Sequence, residues 1–389
     1  MPKNVWLLTA IMALAMSASA MMVLVGGVLG AQLAPKSQLA TLPVAMMIVG
    51  TASSIYLITA YMRKVGRRRV FRMASLAAVG IAALAGWAAI QESFFLFVFA
   101  SFLLGGCVAT FQQIRFAAME SVPIEKAPQA ASTVLLGGLV AAILGPELAT
   151  RGRDLFEADY VGSFLLLAAV AMMCFFLFSF IQDTVANQVE HSEPQRPIAA
   201  IVKQPLFIIA VSCAVVGYAL MSFIMTATPI HMHVIEQFSL EHTKWVIQSH
   251  IIAMFAPSLF SGLLIARFGV NRIIVLGLGA YALTIALAIS GSEWLNYWSA
   301  LVLLGLGWNL LFLSGTVLLP QSHRPEERFR VQGMNELAVF GSQAVAALSA
   351  GVALYYLGWR GLMMVSMVIL IGQVLLLISQ GYRARQNVT

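Results

Sequence analysis

Apolar side chains run through the chain in long continuous blocks, separated by short polar stretches. A helix needs about 20 apolar residues to cross the hydrocarbon core of a bilayer. On that rule the pattern predicts twelve spans: Val5–Leu29, Ala40–Tyr61, Val70–Ile90, Phe94–Met119, Ala130–Leu148, Tyr160–Ile181, Leu206–Ile230, Thr243–Ala266, Arg272–Ser290, Glu293–Leu318, Val331–Leu357 and Gly361–Gln380. The blocks are long rather than short and alternating, which excludes a closed barrel. The predicted fold class is an all-α membrane protein. Lys3, the apolar run and Ala18-Ser19-Ala20 have the features of a cleavable signal peptide. That run continues through Met21, Met22 and Val23 to Leu29, so a retained first helix is predicted.

Composition agrees with this. Of 389 residues, 60% are hydrophobic and 10% charged, against about 25% charged in soluble proteins. Counted with the N-terminus inside, 17 Lys and Arg fall on the inner side and 5 on the outer, with Arg115 within a span. Basic loops stay cytoplasmic, so both termini are expected there. The net charge of +7 is spread over short loops and gives no nucleic-acid stripe. Cys107, Cys174 and Cys213 all lie inside apolar runs, without the spacing of a disulfide framework or zinc site. No Walker loop, dinucleotide fingerprint or nucleophile elbow is present, so no enzyme chemistry is expected.

The stretch DTVANQVEHSEPQRP, residues 183–197, separates six spans from six. We divide the chain into an N-terminal six-helix half (1–182), a cytoplasmic linker (183–203) and a C-terminal six-helix half (204–389). The halves correspond. RKVGRRRV after the second span and ARFGVNRI after the eighth place Gly66 and Gly269 203 residues apart. PIEKAPQ and PEERFRV, each after the fourth span of its half, start 202 apart. Two loops with nearly one offset indicate a duplicated, pseudo-symmetric six-helix unit.

This six-plus-six layout resembles the major facilitator superfamily over essentially the whole chain. The family's loop between its second and third helices reads Gly-x-Leu-x-Asp-Arg-x-Gly-Arg-Arg. Here Gly66, Arg67 and Arg68 match, with Thr59 in place of the first glycine and Arg63 in place of the aspartate. In the second half Gly262, Arg267, Phe268 and Gly269 match, and Ala266 replaces the acid. The resemblance implies that Gly66, Arg67, Arg267 and Gly269 form gating loops. It also implies that the halves rock about a central site.

Helices seven and eight carry candidate chemistry. Met221 and Met225 are four apart, as are His250 and Met254. Residues i and i+4 share a helix face. The two pairs lie at similar depths, so three thioethers and an imidazole are expected to converge in the outer half of the membrane. Soft, neutral thioethers favour Cu(I), and imidazole also suits copper. Ordinary packing competes with this reading, because the chain has 20 Met and methionine fills apolar gaps. His250 is harder to dismiss, since an ionisable group in a span is costly.

A methionine pair in helix seven and a histidine–methionine pair in helix eight resemble the MxxxM and HxxxM motifs of the CcoA-like transporters. That resemblance implies import of copper into the bacterial cytoplasm for assembly of a haem–copper cytochrome c oxidase. A sister group of the same architecture implies riboflavin import. The partners implied are the bilayer, the copper ion as cargo and copper chaperones. No cofactor and no nucleic acid are expected, and a monomer in the bacterial inner membrane is.

Further candidates stand around this core. His231-Met232-His233, at the outer end of helix seven, is suited to capturing copper at the mouth, and Cys213 to passing it inward. Arg115, with Gln112 beside it, is expected to snorkel or to line the inner cavity. Asn335 and Glu336 are placed to pair with it or to carry a proton. Trp308 and Asn309, inside helix ten, are suited to an organic substrate and are what a riboflavin reading leans on.

Overall fold

The structure is a computed structural model that describes residues 1–123, 126–181, 196–324 and 327–386. Its helices run in the order α1 (Lys3–Leu33), α2 (Leu42–Val65), α3 (Arg67–Ile90), α4 (Phe94–Gln112), α5 (Ile114–Glu120), α6 (Ala127–Arg153), α7 (Val161–Phe178) and α8 (Ile198–Val202). Then follow α9 (Pro205–Pro229), α10 (Leu240–Phe255), α11 (Ser258–Phe268), α12 (Val270–Ser290), α13 (Trp294–Leu318) and α14 (Arg328–Gln386).

Among the described residues, ten helical segments are long and apolar enough to cross a membrane. Two details reconcile ten with the predicted twelve. First, α14 holds two spans, divided at Gly358, whose φ of +67° is non-helical. Second, the predicted eighth span, Thr243–Ala266, is not one continuous helix. It breaks into α10 and α11 at Ala256 and Pro257. Proline lacks an N–H, and its ring clashes with the carbonyl four residues back.

Each half has its own apolar core. Leu8, Ile11, Met21, Phe71, Phe97, Phe164 and Phe178 anchor the first, and Ile224, Tyr281, Leu301, Leu304 and Leu362 the second. The packing also repeats. α1 lies on α6 as α9 lies on α14, and α2 lies on α4 as α10 lies on α13. The corresponding loop glycines share one backbone conformation: φ +88°, ψ 148° at Gly66 and φ +80°, ψ 151° at Gly269. Both fall where glycine alone is unstrained.

The halves meet along the ends of the helices remote from both termini, the ends expected to be outer from the distribution of basic residues and called outer below. There Gly27 faces Pro229 and Gly351 faces Thr41. Gln38 Nε2 donates to Tyr356 Oη at 3.0 Å. Lys244 Nζ donates to Glu147 Oε1 at 2.9 Å, and Gln248 Nε2 to the Ile143 carbonyl at 3.1 Å. The outer side is therefore closed. On the inner side the halves face each other through Arg115 and Glu336.

Of the predicted linker 183–203, residues 183–195 lie outside the described residues, as do 124, 125, 325 and 326 of the second pair of corresponding loops. Arg196 is fastened to the C-terminal half. Its Nε and Nη2 donate to Glu327 Oε1 and Oε2 at 2.7 and 2.6 Å, and Glu327 is fully buried. In the N-terminal half Arg67 makes the same two-pronged contact with Glu120, at 2.8 and 2.7 Å.

Candidate functional site

The site is built around α13, which packs against both α9 and α10. Consecutive α9 and α10 are not principal packing partners, as a direct convergence of their side chains would require; α10 lies on α13 and α6. α13 nevertheless serves as a yardstick for depth. Gly217 of α9 sits against Trp308 and Leu311. Gly305 sits against the backbone of His250 and Met254. Met221 lies one turn outward of Gly217, which puts it level with Met254. Met225, a further turn out, is level with His250. All four residues are buried.

His250 faces α13. Its Nδ1 donates to the Leu301 carbonyl at 2.7 Å. A carbonyl only accepts, so in the neutral ring Nε2 carries the lone pair. Nε2 is buried and has no hydrogen-bond partner among the described residues. The close approach of α10 to α13 depends on Gly305, where a Cβ would lie 2.5 Å from the His250 carbonyl oxygen.

The break after α10 explains Asn309. A helix end leaves carbonyls without intrahelical donors. Asn309 Nδ2 donates to the Met254 carbonyl at 2.8 Å and to Ser258 Oγ at 2.7 Å, bridging the break. Its Oδ1 stays buried without a partner among the described residues, and so does Trp308 Nε1. Neighbouring residues thus carry one unpaired acceptor and one unpaired donor.

Trp308 also belongs to an aromatic cluster that the sequence did not disclose. Tyr218 of α9 meets Trp308 and Phe312 edge-on, each at 5.2 Å between centroids, and Phe340 of α14 at 5.9 Å. Trp308 stacks on Phe312 at 5.2 Å and meets Phe255 of α10 at 5.9 Å. Gly138 of α6 faces the Phe255 ring from the other half. Four of the rings lie about 18–23 Å along their helices at 1.5 Å per residue, near mid-membrane, and Phe312 lies one turn further along α13. Glu336 lies one turn from Phe340, and Arg115 reaches it with Nη2 4.0 Å from Oε1. Asn335 is buried nearby on the same turn, and Gln112 is half-buried.

The remaining candidates lie elsewhere. His231 and Met232 are buried, in place of the water-facing mouth expected for them. His231 stacks on Trp359 at 4.6 Å, and its Nδ1 is 2.8 Å from Tyr297 Oη. His233 Nδ1 donates to the Phe238 carbonyl at 2.7 Å. Cys213 points toward the second arm of α14, where Gln373 Nε2 lies 3.8 Å from its sulfur. Arg267 is exposed, its guanidinium 5.7 Å from the Phe268 ring centre. A separate groove of about 690 Å³ between α9 and both arms of α14 has almost wholly apolar walls, with Val345 and Tyr356 two-thirds exposed. Its lining includes Ser342, Ser349 and Tyr356 but no charged side chain.

Comparison with known proteins places the chain. The family model described as Major Facilitator Superfamily matches residues 5–244 and 218–388. The riboflavin transporter RfnT of Brucella anthropi is 36% identical over 92% of this chain and 90% of its own length. An uncharacterized MFS-type transporter of Bacillus subtilis, YddS, is 27% identical over 84% of this chain and 79% of its own. Among solved structures, a bacterial homolog of the human lysosomal transporter Spinster, inward-facing and occupied, superposes with a TM-score of 0.72. It has 13% identity and covers 97% of this chain and 96% of its own.

Proposed function

The chain belongs to the Major Facilitator Superfamily, and on that premise we propose that it carries riboflavin, or a flavin of similar shape, inward across the bacterial inner membrane by alternating access. The observation that carries this reading is the mid-membrane cluster of Tyr218, Phe255, Trp308, Phe312 and Phe340. Aromatic faces hold a planar ring by offset or edge contact. The unpaired Trp308 Nε1 and Asn309 Oδ1 suit a ring edge that both accepts and donates. The named relative, a riboflavin transporter over nine-tenths of both chains, supports the same substrate. Uptake of radiolabelled riboflavin by cells expressing the protein tests the reading. Trp308→Ala should lower uptake at least tenfold while surface abundance is kept. Unchanged uptake in that variant would move the substrate elsewhere.

A second reading, copper import, rests on His250. Its Nδ1–H is fixed by the Leu301 carbonyl and its Nε2 is unpartnered, the arrangement of a ring oriented by a second interaction to offer one nitrogen. Among the described residues no three His, Cys, Asp or Glu converge, so a metal path would depend on the thioethers of Met221, Met225 and Met254. Copper uptake that disappears in His250→Ala and Met225→Ala would favour it over riboflavin.

A further inference from the structure

Arg115 and Glu336 face each other from opposite halves at a separation that is too long for a bond and too short for indifference. Charge-assisted hydrogen bonds close to about 2.7–2.9 Å. The Arg67–Glu120 and Arg196–Glu327 pairs of this protein do so, at 2.7 and 2.6 Å. Arg115 Nη2 stops 4.0 Å from Glu336 Oε1, and both side chains are about one-third exposed, at 32% and 33%. The guanidinium lies over the Phe116 ring, 4.7 Å from its centre, which fixes its direction. Its Nε is buried without a hydrogen-bond partner among the described residues. Glu336 is four residues from Phe340, about 5.4 Å along the helix.

We propose that Arg115 and Glu336 form a polyol subsite, in which one hydroxyl of the substrate's sugar-alcohol chain bridges the pair. This rests on the flavin reading above. The hydroxyl oxygen accepts from the Arg115 guanidinium and donates to the Glu336 carboxylate. A hydroxyl does both at a single atom. An oxygen about 2.8 Å from each of two atoms 4.0 Å apart subtends roughly 90° between them, open enough for that double contact. The ring system then occupies the cluster at Phe340, and a five-carbon chain covers the turn down to Glu336. Because the two partners belong to different halves, the same hydroxyl ties the halves together when substrate is aboard. A phosphate ester in place of the hydroxyl would set a dianion against the Glu336 carboxylate, so phosphorylated flavins are rejected.

The test compares riboflavin with lumiflavin, which keeps the ring and replaces the polyol by a methyl group, and with flavin mononucleotide. Binding to purified transporter is read from quenching of flavin fluorescence. Wild type should bind riboflavin at least about tenfold more tightly than lumiflavin, and flavin mononucleotide more weakly than riboflavin. In Arg115→Ala and Glu336→Ala the preference for riboflavin over lumiflavin should collapse toward unity while lumiflavin affinity stays near wild type, which also shows that the variants are folded. Glu336→Gln should admit flavin mononucleotide. Equal wild-type affinities for riboflavin and lumiflavin would overturn the subsite and leave the flavin reading standing. So would variants that lose both ligands in parallel or keep full discrimination. Wild type that binds neither ligand would remove the flavin reading and the subsite together.

Discussion

Replacing Lys244 by methionine should unlock the outer seam. Lys244 is only 5% exposed, and its Nζ lies 2.9 Å from Glu147 Oε1 of the other half and 2.7 Å from Glu241 Oε1 of its own helix. Deleting one partner of a buried pair costs about 3–5 kcal/mol. That figure needs discounting here. Glu147 is 25% exposed and keeps Arg151 Nε at 2.8 Å, while Glu241, 56% exposed, returns to water. We take about 1–2 kcal/mol as the loss to the outward-closed state. At 1.4 kcal/mol per tenfold, the outward-open population should rise about 5- to 30-fold. Spin labels at Leu155 and Ser292, on outer loops of the two halves, would read this as a new long-distance component in pulsed dipolar spectra. Arg151→Ala is the control. It removes an exposed i,i+4 pair of the same carboxylate, worth about 0.3–0.5 kcal/mol, and should shift the populations less than threefold. A distance distribution unchanged by Lys244→Met, or changed equally by Arg151→Ala, would refute the lock.

Three further outcomes are expected. Gly305→Ala drives a Cβ to 2.5 Å from the His250 carbonyl oxygen and 3.0 Å from the Met254 amide nitrogen. Backbone cannot swing aside, so α10 and α13 must part, at a cost of about 1–3 kcal/mol, measurable as a lowered melting temperature in detergent. Tyr297→Phe removes the partner of buried His231 Nδ1 and should cost a similar amount, about 1–3 kcal/mol, by the same measurement. The Arg196 side chain, and then the backbone amides of Arg324 and Arg196, hold the Glu327 carboxyl below the ordinary carboxylate range. A lowered folded-state value means stability that is complete above that ordinary range and lost as pH falls below it. Glu327→Gln should therefore flatten the acid limb of a melting-temperature profile, and an unchanged acid limb would contradict the assignment.

The spans, the two halves and the correspondence of the Gly66 and Gly269 loops could be read from sequence, because each leaves a local mark in hydropathy or in spacing. The identical backbone at those two glycines is the structural counterpart of the 203-residue offset. The neighbours of each helix leave no such mark. The expected convergence of Met221, Met225, His250 and Met254 needs α9 and α10 side by side, yet both pack on α13, which arrives about 40 residues after α10 ends. The aromatic cluster draws five residues from four helices, two of them from α13, and no short window of sequence contains more than those two. Lys244 reads as one more loop cation, and its burial is visible only once α6 from the other half lies beside it. Pro257 did carry a readable signal. A proline inside an apolar run interrupts a helix, and Asn309 is the side chain that repairs the gap.

The clasp between Arg196 and Glu327 bears on how the chain could be divided. A cut anywhere from residue 183 to residue 195 leaves Arg196, Ser322, Arg324 and Glu327 on one fragment, so the fastening at the inner face survives cleavage. Each fragment keeps its own apolar core, and what the fragments share is the outer seam. Two separately translated six-helix polypeptides therefore have the parts needed to find each other in the bilayer. Co-expression of residues 1–182 with residues 196–389 would then turn the linker from a structural requirement into a convenience of synthesis.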